Sequence, residues 1–129
     1  MGYRSNVVIY IQHPEIHEAV RVLIDKADDE DTNELKHMFI APLIQATGQV
    51  FLSPPGADAY LLVQYEDVKW YDSYLFVQLL QQLYADFEHI DGASTAFCRT
   101  GEEADDVDYR NSGDGCDVVY PTTSIEVNI

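Results

Sequence analysis

The stretch AYLLVQYEDVKWYDSYLFVQLLQQLYADF, Ala59–Phe87, holds the two hydrophobic periodicities that decide the fold. Its first part, Ala59–Tyr65, is rich in aliphatic and aromatic residues and contains no Gly or Pro, which predicts a strand. Glu66–Asp67 is expected to form a turn, and Asp72–Phe87 to form an amphipathic helix capped by one of its first two residues. The apolar residues of this helix recur at the spacing of one buried face: Phe76, Leu79, Leu80, Leu83 and Phe87.

The segments before and after this unit carry their own strand and helix patterns. Arg4–Gln12 contains an uninterrupted run of β-prone residues, which indicates a strand in the centre of a sheet. The spacing predicts a helix over Glu15–Ala27 and a second over Glu34–Ala46, which Pro42 should kink or end. Further strands are expected at Gln49–Leu52, Ser94–Thr100, Val118–Tyr120 and Ser124–Ile129, the last two at a sheet edge because Pro121 interrupts them.

The order of these elements predicts an α+β fold. We expect a four- to five-stranded, mainly antiparallel sheet with two or three helices packed on one face. A chain of 129 residues fits a single domain over residues 1–129. No apolar run approaches the roughly 18 residues of a membrane span. Cys98 and Cys116 are expected to be reduced thiols in a cytoplasmic protein.

The charge of the chain is its most unusual property. Twenty-three acidic residues against seven basic ones give a formal net charge of −16. This balance opposes direct binding to nucleic-acid phosphates and to anionic membranes, and it favours solubility, cation binding or a partner with a basic surface. The acid-rich segment Gly101–Asp117 is expected to be a loop or the ends of a long hairpin, and Asp28–Asp31 to be a loop. The candidate partner-binding carboxylates are Asp28, Asp29, Glu30, Asp31, Glu102, Glu103, Asp105, Asp106 and Asp108.

Two interpretations of these carboxylates remain open. They could form a negative surface that resembles a phosphate backbone and occupies the basic groove of a nucleic-acid-binding protein. They could equally be solvated loops that confer only solubility.

Aromatic residues that follow the expected Glu66–Asp67 turn form a second candidate surface. Trp70 and Tyr71 are residue types favoured at binding hot spots, although core packing is their commoner use. Together with Tyr74, Arg99 and Arg4 they could alternatively hold a small, nucleotide-like ligand.

No catalytic, metal or cofactor site is expected. His13 and His17 lie one helical turn apart, but Pro14 stands where a zinc-protease motif has Glu. A calcium-loop frame that starts at Asp106 places Arg110 at a ligand position. No serine lies in a nucleophile elbow, and Cys98 falls within a predicted strand. A Mg²⁺-dependent hydrolase would require carboxylates that converge in space.

Three segments together resemble a family of small bacteriophage and prophage proteins that have no assigned activity. These segments are MGYRSNVVI at the start, EDVKWYDSY in the middle, and FCRTGEEADDVDYR near the end. The resemblance implies a protein that works in the cytoplasm of an infected bacterium. In that setting an acidic protein would inhibit a host nucleic-acid-handling or defence protein. The match includes Glu102–Asp106 and Arg99 but not Asp28–Asp31, so it favours the later acidic segment as the functional one.

Overall fold

The computed structural model describes residues 3–30, 36–45, 49–103, 105–121 and 125–128, except for the side chains of residues 27–30 and 38. The strands are β1 Ser5–Gln12, β2 Val50–Leu52, β3 Tyr60–Val68, β4 Ser94–Thr100, β5 Val107–Ser112, β6 Val119–Pro121 and β7 Ile125–Val127. The helices are α1 Ile16–Glu30, α2 Ala41–Gln45 and α3 Leu75–Glu88. A π-helical turn, Lys36–Ile40, precedes α2, and a 3₁₀ turn, Gly115–Asp117, precedes β6.

Five strands form one sheet in the order β2-β3-β1-β4-β5, and every neighbouring pair is antiparallel. The central strand β1 places Ile9 between Val63 of β3 and Phe97 of β4. Strands β6 and β7 pair only with each other and form a separate two-stranded sheet. The predicted α+β class and antiparallel sheet are confirmed. None of the helices within the described ranges is both long and apolar enough to cross a bilayer.

Alternation along β1 divides the core into two layers. Val7, Ile9 and Ile11 face the helices and are buried together with residues of α1 and α3. Val8 and Tyr10 point to the opposite face, as expected for a strand with a side-chain period of two. The helix-side core therefore contains the apolar faces of both long helices, including Ile16, Val20, Leu23, Val77, Leu80 and Leu83.

The small β6–β7 sheet covers the other face of the main sheet. Val119 is fully buried there, in one cluster with Ala96 and Cys98 of β4. The hydroxyl of Tyr109 donates a hydrogen bond to the Val119 carbonyl oxygen at 2.7 Å. The last two strands are therefore edge strands, as Pro121 predicts, but of a separate two-stranded sheet that packs on the face of the main sheet.

Strand β3 runs three residues beyond its predicted end. The expected turn lies inside the strand, because Ser5 pairs with Val68 across a bulge in the β1–β3 ladder. Asp67 has a φ of 55° at this bulge, a left-handed conformation that is uncommon for a residue other than Gly. Its N–H donates to Asn6 Oδ1 at 2.9 Å, and its carbonyl oxygen accepts from Arg4 Nη1 at 3.1 Å. These two bonds hold the unusual backbone in place.

Three helix predictions need correction. Helix α3 begins at Leu75, later than predicted, and Tyr74 is its N-cap without a side-chain capping bond. Helix α1 continues to Glu30, so Asp28–Glu30 are helical and do not form a loop. Pro42 lies in the first turn of the short helix α2, where backbone N–H groups have no intrahelical acceptor, so the N–H that proline lacks costs no helical hydrogen bond.

The acidic segment after β4 contains a strand. β5 pairs with β4 along its whole length, so of the two structures expected there the long hairpin is observed. Arg99 lies opposite Asp108 in this ladder, and the cross-strand ion pair takes the place of apolar alternation. Cys98 is buried, Cys116 is exposed, and both are free thiols.

Candidate functional site

Residues of the segments MGYRSNVVI, EDVKWYDSY and FCRTGEEADDVDYR meet at one end of the main sheet. The hydroxyl of Tyr3 donates a hydrogen bond of 2.6 Å to Asp106 Oδ2, which lies 103 residues later in the sequence. Arg99 Nη1 donates to Ser5 Oγ at 3.2 Å. The bulge at Asp67 brings the middle segment to the same end of the sheet. Residues from the start, middle and end of the chain therefore form one cluster.

Arg99 is the centre of this cluster. Its side chain is only 16% exposed, and its Nη2 lies 2.6 Å from Asp106 Oδ1 and 2.9 Å from Asp108 Oδ2. Hydrogen bonds from Arg99, and then from Tyr3, hold the pKa of Asp106 below its usual range. The same bond to Asp106 is the main cause that raises the pKa of Arg99. The partly buried Asp106 and the exposed Asp108 are thus intramolecular counter-ions of Arg99.

Gly101 makes room for the contact between Tyr3 and Asp106. A Cβ at this position would lie 2.1 Å from Asp106 Oδ2 and 2.2 Å from the Tyr3 hydroxyl. The Gly101 N–H also donates to the Asp106 carbonyl oxygen at 2.8 Å. The absence of a side chain at Gly101 therefore leaves the space in which the Tyr3 hydroxyl and the Asp106 carboxylate meet.

Exposed carboxylates surround the cluster on the β4–β5 turn and on the last residues of β3. Glu102, Glu103 and Asp105 are exposed on the β4–β5 turn, and Glu66 and Asp67 are exposed near the end of β3. Asp67 and Glu102 line one shallow depression of about 160 Å³ beside Arg4. We call these five residues, Glu66, Asp67, Glu102, Glu103 and Asp105, the acidic end of the sheet. Glu66 and Asp67 were not among the predicted binding residues, although the segment EDVKWYDSY begins with them.

The earlier acidic run is less well described. Asp28, Asp29 and Glu30 occupy the last turn of α1, and their side chains lie outside the described part of the structure, as does the whole of Asp31. The structure therefore does not relate this run to the acidic end.

Trp70 belongs to the core and is 8% exposed. Its ring centroid lies 5.8 Å from that of Phe76 in an edge-on contact and 6.4 Å from that of Phe97. Tyr71 and Tyr74 are both half-buried, and their ring centroids lie 5.3 Å apart. Trp70 and Tyr71 were predicted to contact a partner, and of the two only Tyr71 presents substantial surface to solvent.

A cleft of about 500 Å³ opens beside Trp70, between α3, the β4–β5 hairpin and the loop before α3. We call it the Trp70 cleft. Of the residues predicted to hold a small ligand, Trp70 and Arg99 line it, whereas Arg4, Tyr71 and Tyr74 do not. The complete lining consists of Trp70, Asp72, Gln81, Tyr84, Phe97, Arg99, Asp108, Tyr109 and Arg110.

Arg110 forms one wall of the Trp70 cleft and was not predicted as a site residue. Its guanidinium lies 5.1 Å from the centre of the Tyr84 ring, a cation–π contact. It also donates to both oxygens of Glu88, from Nε at 2.9 Å and from Nη2 at 2.5 Å. This bidentate pair lowers the pKa of Glu88.

Two of the candidate chemistries, a Cys98 nucleophile and a metal site, can be compared with the described residues. Burial raises the pKa of the Cys98 thiol to about 11, which is the opposite of an activated nucleophile. No group of three His, Cys, Asp or Glu side chains within the described ranges could hold a metal ion. His13 Nδ1 accepts from the Glu15 N–H at 3.1 Å, and His17 Nε2 lies 2.6 Å from the Ser53 carbonyl oxygen.

The chain matches no protein-family model, no curated protein and no solved structure.

Proposed function

We propose that this protein is a non-enzymatic binding protein that presents the acidic end of its sheet to a basic surface on another protein. The observation that supports this most directly is the position of five exposed carboxylates, which the last residues of β3 and the β4–β5 turn bring to one end of the sheet. The formal net charge of −16 adds a long-range field of the same sign. Such a field accelerates association with a positively charged partner and repels nucleic acid.

The proposed class of partner rests on the resemblance of three sequence segments to bacteriophage and prophage proteins. A host or defence protein that handles nucleic acid carries a groove of Lys and Arg side chains. The carboxylates of the acidic end would occupy that groove and exclude the nucleic acid, which is inhibition by mimicry. An interaction protein that uses the same surface without mimicry would bind elsewhere on its partner.

The internal ion pairs define which acids can take part. Asp106 and Asp108 neutralise Arg99, and Asp106 also accepts from Tyr3. Reversal of their charge would disturb the fold at the end of the sheet. Glu102, Glu103 and Asp105 are exposed, so their reversal tests binding without removing an observed ion pair.

The test is capture of partners from a bacterial host lysate with tagged protein, followed by mass spectrometry. The test variant is Glu102→Lys, Glu103→Lys, Asp105→Lys. The control variant is Glu15→Lys, Asp58→Lys, Asp91→Lys, which changes three exposed acids elsewhere and gives the same net charge. We expect the control to retain the partner and the test variant to lose it. Equal retention by both variants would refute the acidic end as the binding surface.

Competition with DNA separates mimicry from other binding. If the acidic end occupies a nucleic-acid groove, duplex DNA added in excess releases the captured partner at constant ionic strength. If the partner stays bound while it also binds DNA, the protein is an interaction protein without mimicry.

A further inference from the structure

A groove of about 220 Å³ lies between α1 and α3 and is lined mainly by apolar side chains. Leu23 of α1 and Leu79 and Leu83 of α3 line it and are buried. Val22 of α1 also lines it and is 52% exposed, although valine is a residue type that is most often buried. Contact with another molecule along this groove would remove the Val22 side chain from water, which stabilises an interface.

The charges beside the groove differ from those of the chain as a whole. The two charged residues that line the groove are one base, Lys26, and one acid, Asp86, so their formal charges cancel. Arg21, on the same helix as Lys26, is paired with both Glu18 and Asp25. A chain with a net charge of −16 repels a second copy of itself over most of its surface. The groove is therefore a place where two copies can meet with little local repulsion.

Lys26 and Asp86 lie at opposite ends of the groove. The ring of His13, just before α1, lies 5.3 Å from the ring of Phe87, near the end of α3, so the two helices run antiparallel. The last part of α3, with Asp86, therefore lies beside the first part of α1, whereas Lys26 lies beside the first part of α3. Asp86 accepts a hydrogen bond of 2.9 Å from the neutral Gln82, which leaves its charge unchanged.

This placement of the two charges fits a second copy of the same chain. In a two-fold contact, residue i of one copy meets residue j of the other, and j of the first meets i of the second. A two-fold axis that crosses the helices reverses the direction of the groove in the second copy. Each Asp86 then lies at the Lys26 end of the opposite copy, so the same pair of opposite charges forms twice. An unrelated partner would have to supply an acid and a base at matching positions.

We propose that the groove between α1 and α3 is the contact surface of a two-fold dimer of this chain. Val22 of each copy is covered by the other copy, and Lys26 of each copy faces Asp86 of the other. The net charge and the three acids in the last turn of α1 oppose this contact, so the dimer is weak at physiological salt, with a Kd of about 10–500 μM. The dimer would carry two acidic ends, so it could bind a partner with two basic surfaces bivalently.

The experiment is sedimentation of the purified full chain over about 10 μM to 1 mM at roughly physiological salt. We expect a monomer–dimer equilibrium, and a wild type that stays monomeric throughout this range overturns the proposal. Val22→Glu changes an exposed side chain and should weaken the dimer at least tenfold. Ile90→Glu is the control, because Ile90 is 40% exposed, does not line the groove and gives the same charge change. Equal Kd values for the two variants would place the contact elsewhere and overturn the proposal.

An exchange of the two charges tests the two-fold arrangement. Lys26→Asp and Asp86→Lys should each weaken the dimer at least threefold, because each places like charges opposite one another. The double variant has the net charge of the wild type and should recover its Kd. If the double variant dimerises no better than the single ones, the two-fold pairing is wrong.

The acidic-end variant separates this proposal from the proposed function. Glu102→Lys, Glu103→Lys, Asp105→Lys should lose the captured partner and yet dimerise at least as tightly as wild type, because it carries less negative charge. Loss of the dimer in this variant would assign the contact to the acidic end and overturn the proposal.

Discussion

Replacement of Trp70 by Phe should be unusually mild for a change in a core tryptophan. The substitution removes two ring carbons and the indole nitrogen from a side chain that is 8% exposed. Loss of the two carbons costs about 1.6 kcal/mol, at roughly 0.8 kcal/mol for each buried carbon. Removal of the unsatisfied N–H returns about 1–3 kcal/mol, because the donor no longer has to be desolvated without a partner. The net change in the free energy of unfolding should therefore lie within about 1.5 kcal/mol of zero.

Phe76→Leu is the matched control for this prediction. Phe76 is 3% exposed, packs edge-on against Trp70, and loses three ring carbons without any polar group. It should cost about 2–3 kcal/mol, which is clearly more than Trp70→Phe. Urea unfolding monitored by far-UV circular dichroism measures both, because it does not depend on tryptophan. If Trp70→Phe costs as much as Phe76→Leu or more, the indole N–H has a partner and the reasoning is refuted.

Three further predictions follow from the buried thiol, a crowded glycine and an ion pair. A thiol-reactive dye at pH 8 should label Cys116 and spare Cys98 in the native protein, because burial raises the pKa of Cys98 to about 11; labelling of both without denaturant would contradict its burial. Gly115→Ala should destabilise the protein by more than about 3 kcal/mol, because the new Cβ would lie 1.8 Å from the Thr95 carbonyl oxygen. Gly56→Ala is the control and should change the unfolding midpoint little, because its Cβ would have nothing within 4 Å. Similar midpoints for the two variants would contradict the close packing at Gly115. The pKa of Glu88 is lowered in the folded state, mainly by its hydrogen bonds from Arg110, so the stability that Glu88 contributes is present above its usual pKa of 4.5 and is lost as the pH falls through the folded pKa. The variant Arg110→Gln should therefore lose less stability than the wild type between neutral and acidic pH in urea titrations. An equal loss in the two proteins would contradict the Arg110–Glu88 pair.

The sequence was sufficient for the elements whose periodicity is strong. The β-prone run of β1 predicts a central strand, and the apolar spacing of α3 predicts its buried face; the structure has both. The extension of β3 could not be read from Glu66 and Asp67, because it depends on a bulge and on bonds from Arg4 and Asn6. These contacts cross about half of the chain, and local propensity contains no information about them.

The candidate site was less predictable than the fold. Strand β5 has the sequence VDYRNS, which lacks the apolar alternation that would identify a strand. It lies at the edge of the sheet and is held there partly by the Arg99–Asp108 ion pair, which the sequence pattern does not reveal. The roles of the acids also depend on three-dimensional neighbours. Asp105 and Asp106 are adjacent in sequence, yet Asp105 is exposed and Asp106 binds Arg99 and Tyr3. Net charge alone could not separate a structural carboxylate from a surface one.

The most direct test of the proposed function is the affinity of the captured partner for three proteins measured side by side at physiological salt. These are the wild type, the acidic-end variant Glu102→Lys, Glu103→Lys, Asp105→Lys, and the control variant Glu15→Lys, Asp58→Lys, Asp91→Lys. The account predicts that the acidic-end variant binds at least tenfold more weakly than the control, although both have the same net charge. Equal Kd values for the two variants would contradict it, because binding would then depend on total charge and not on the acidic end of the sheet.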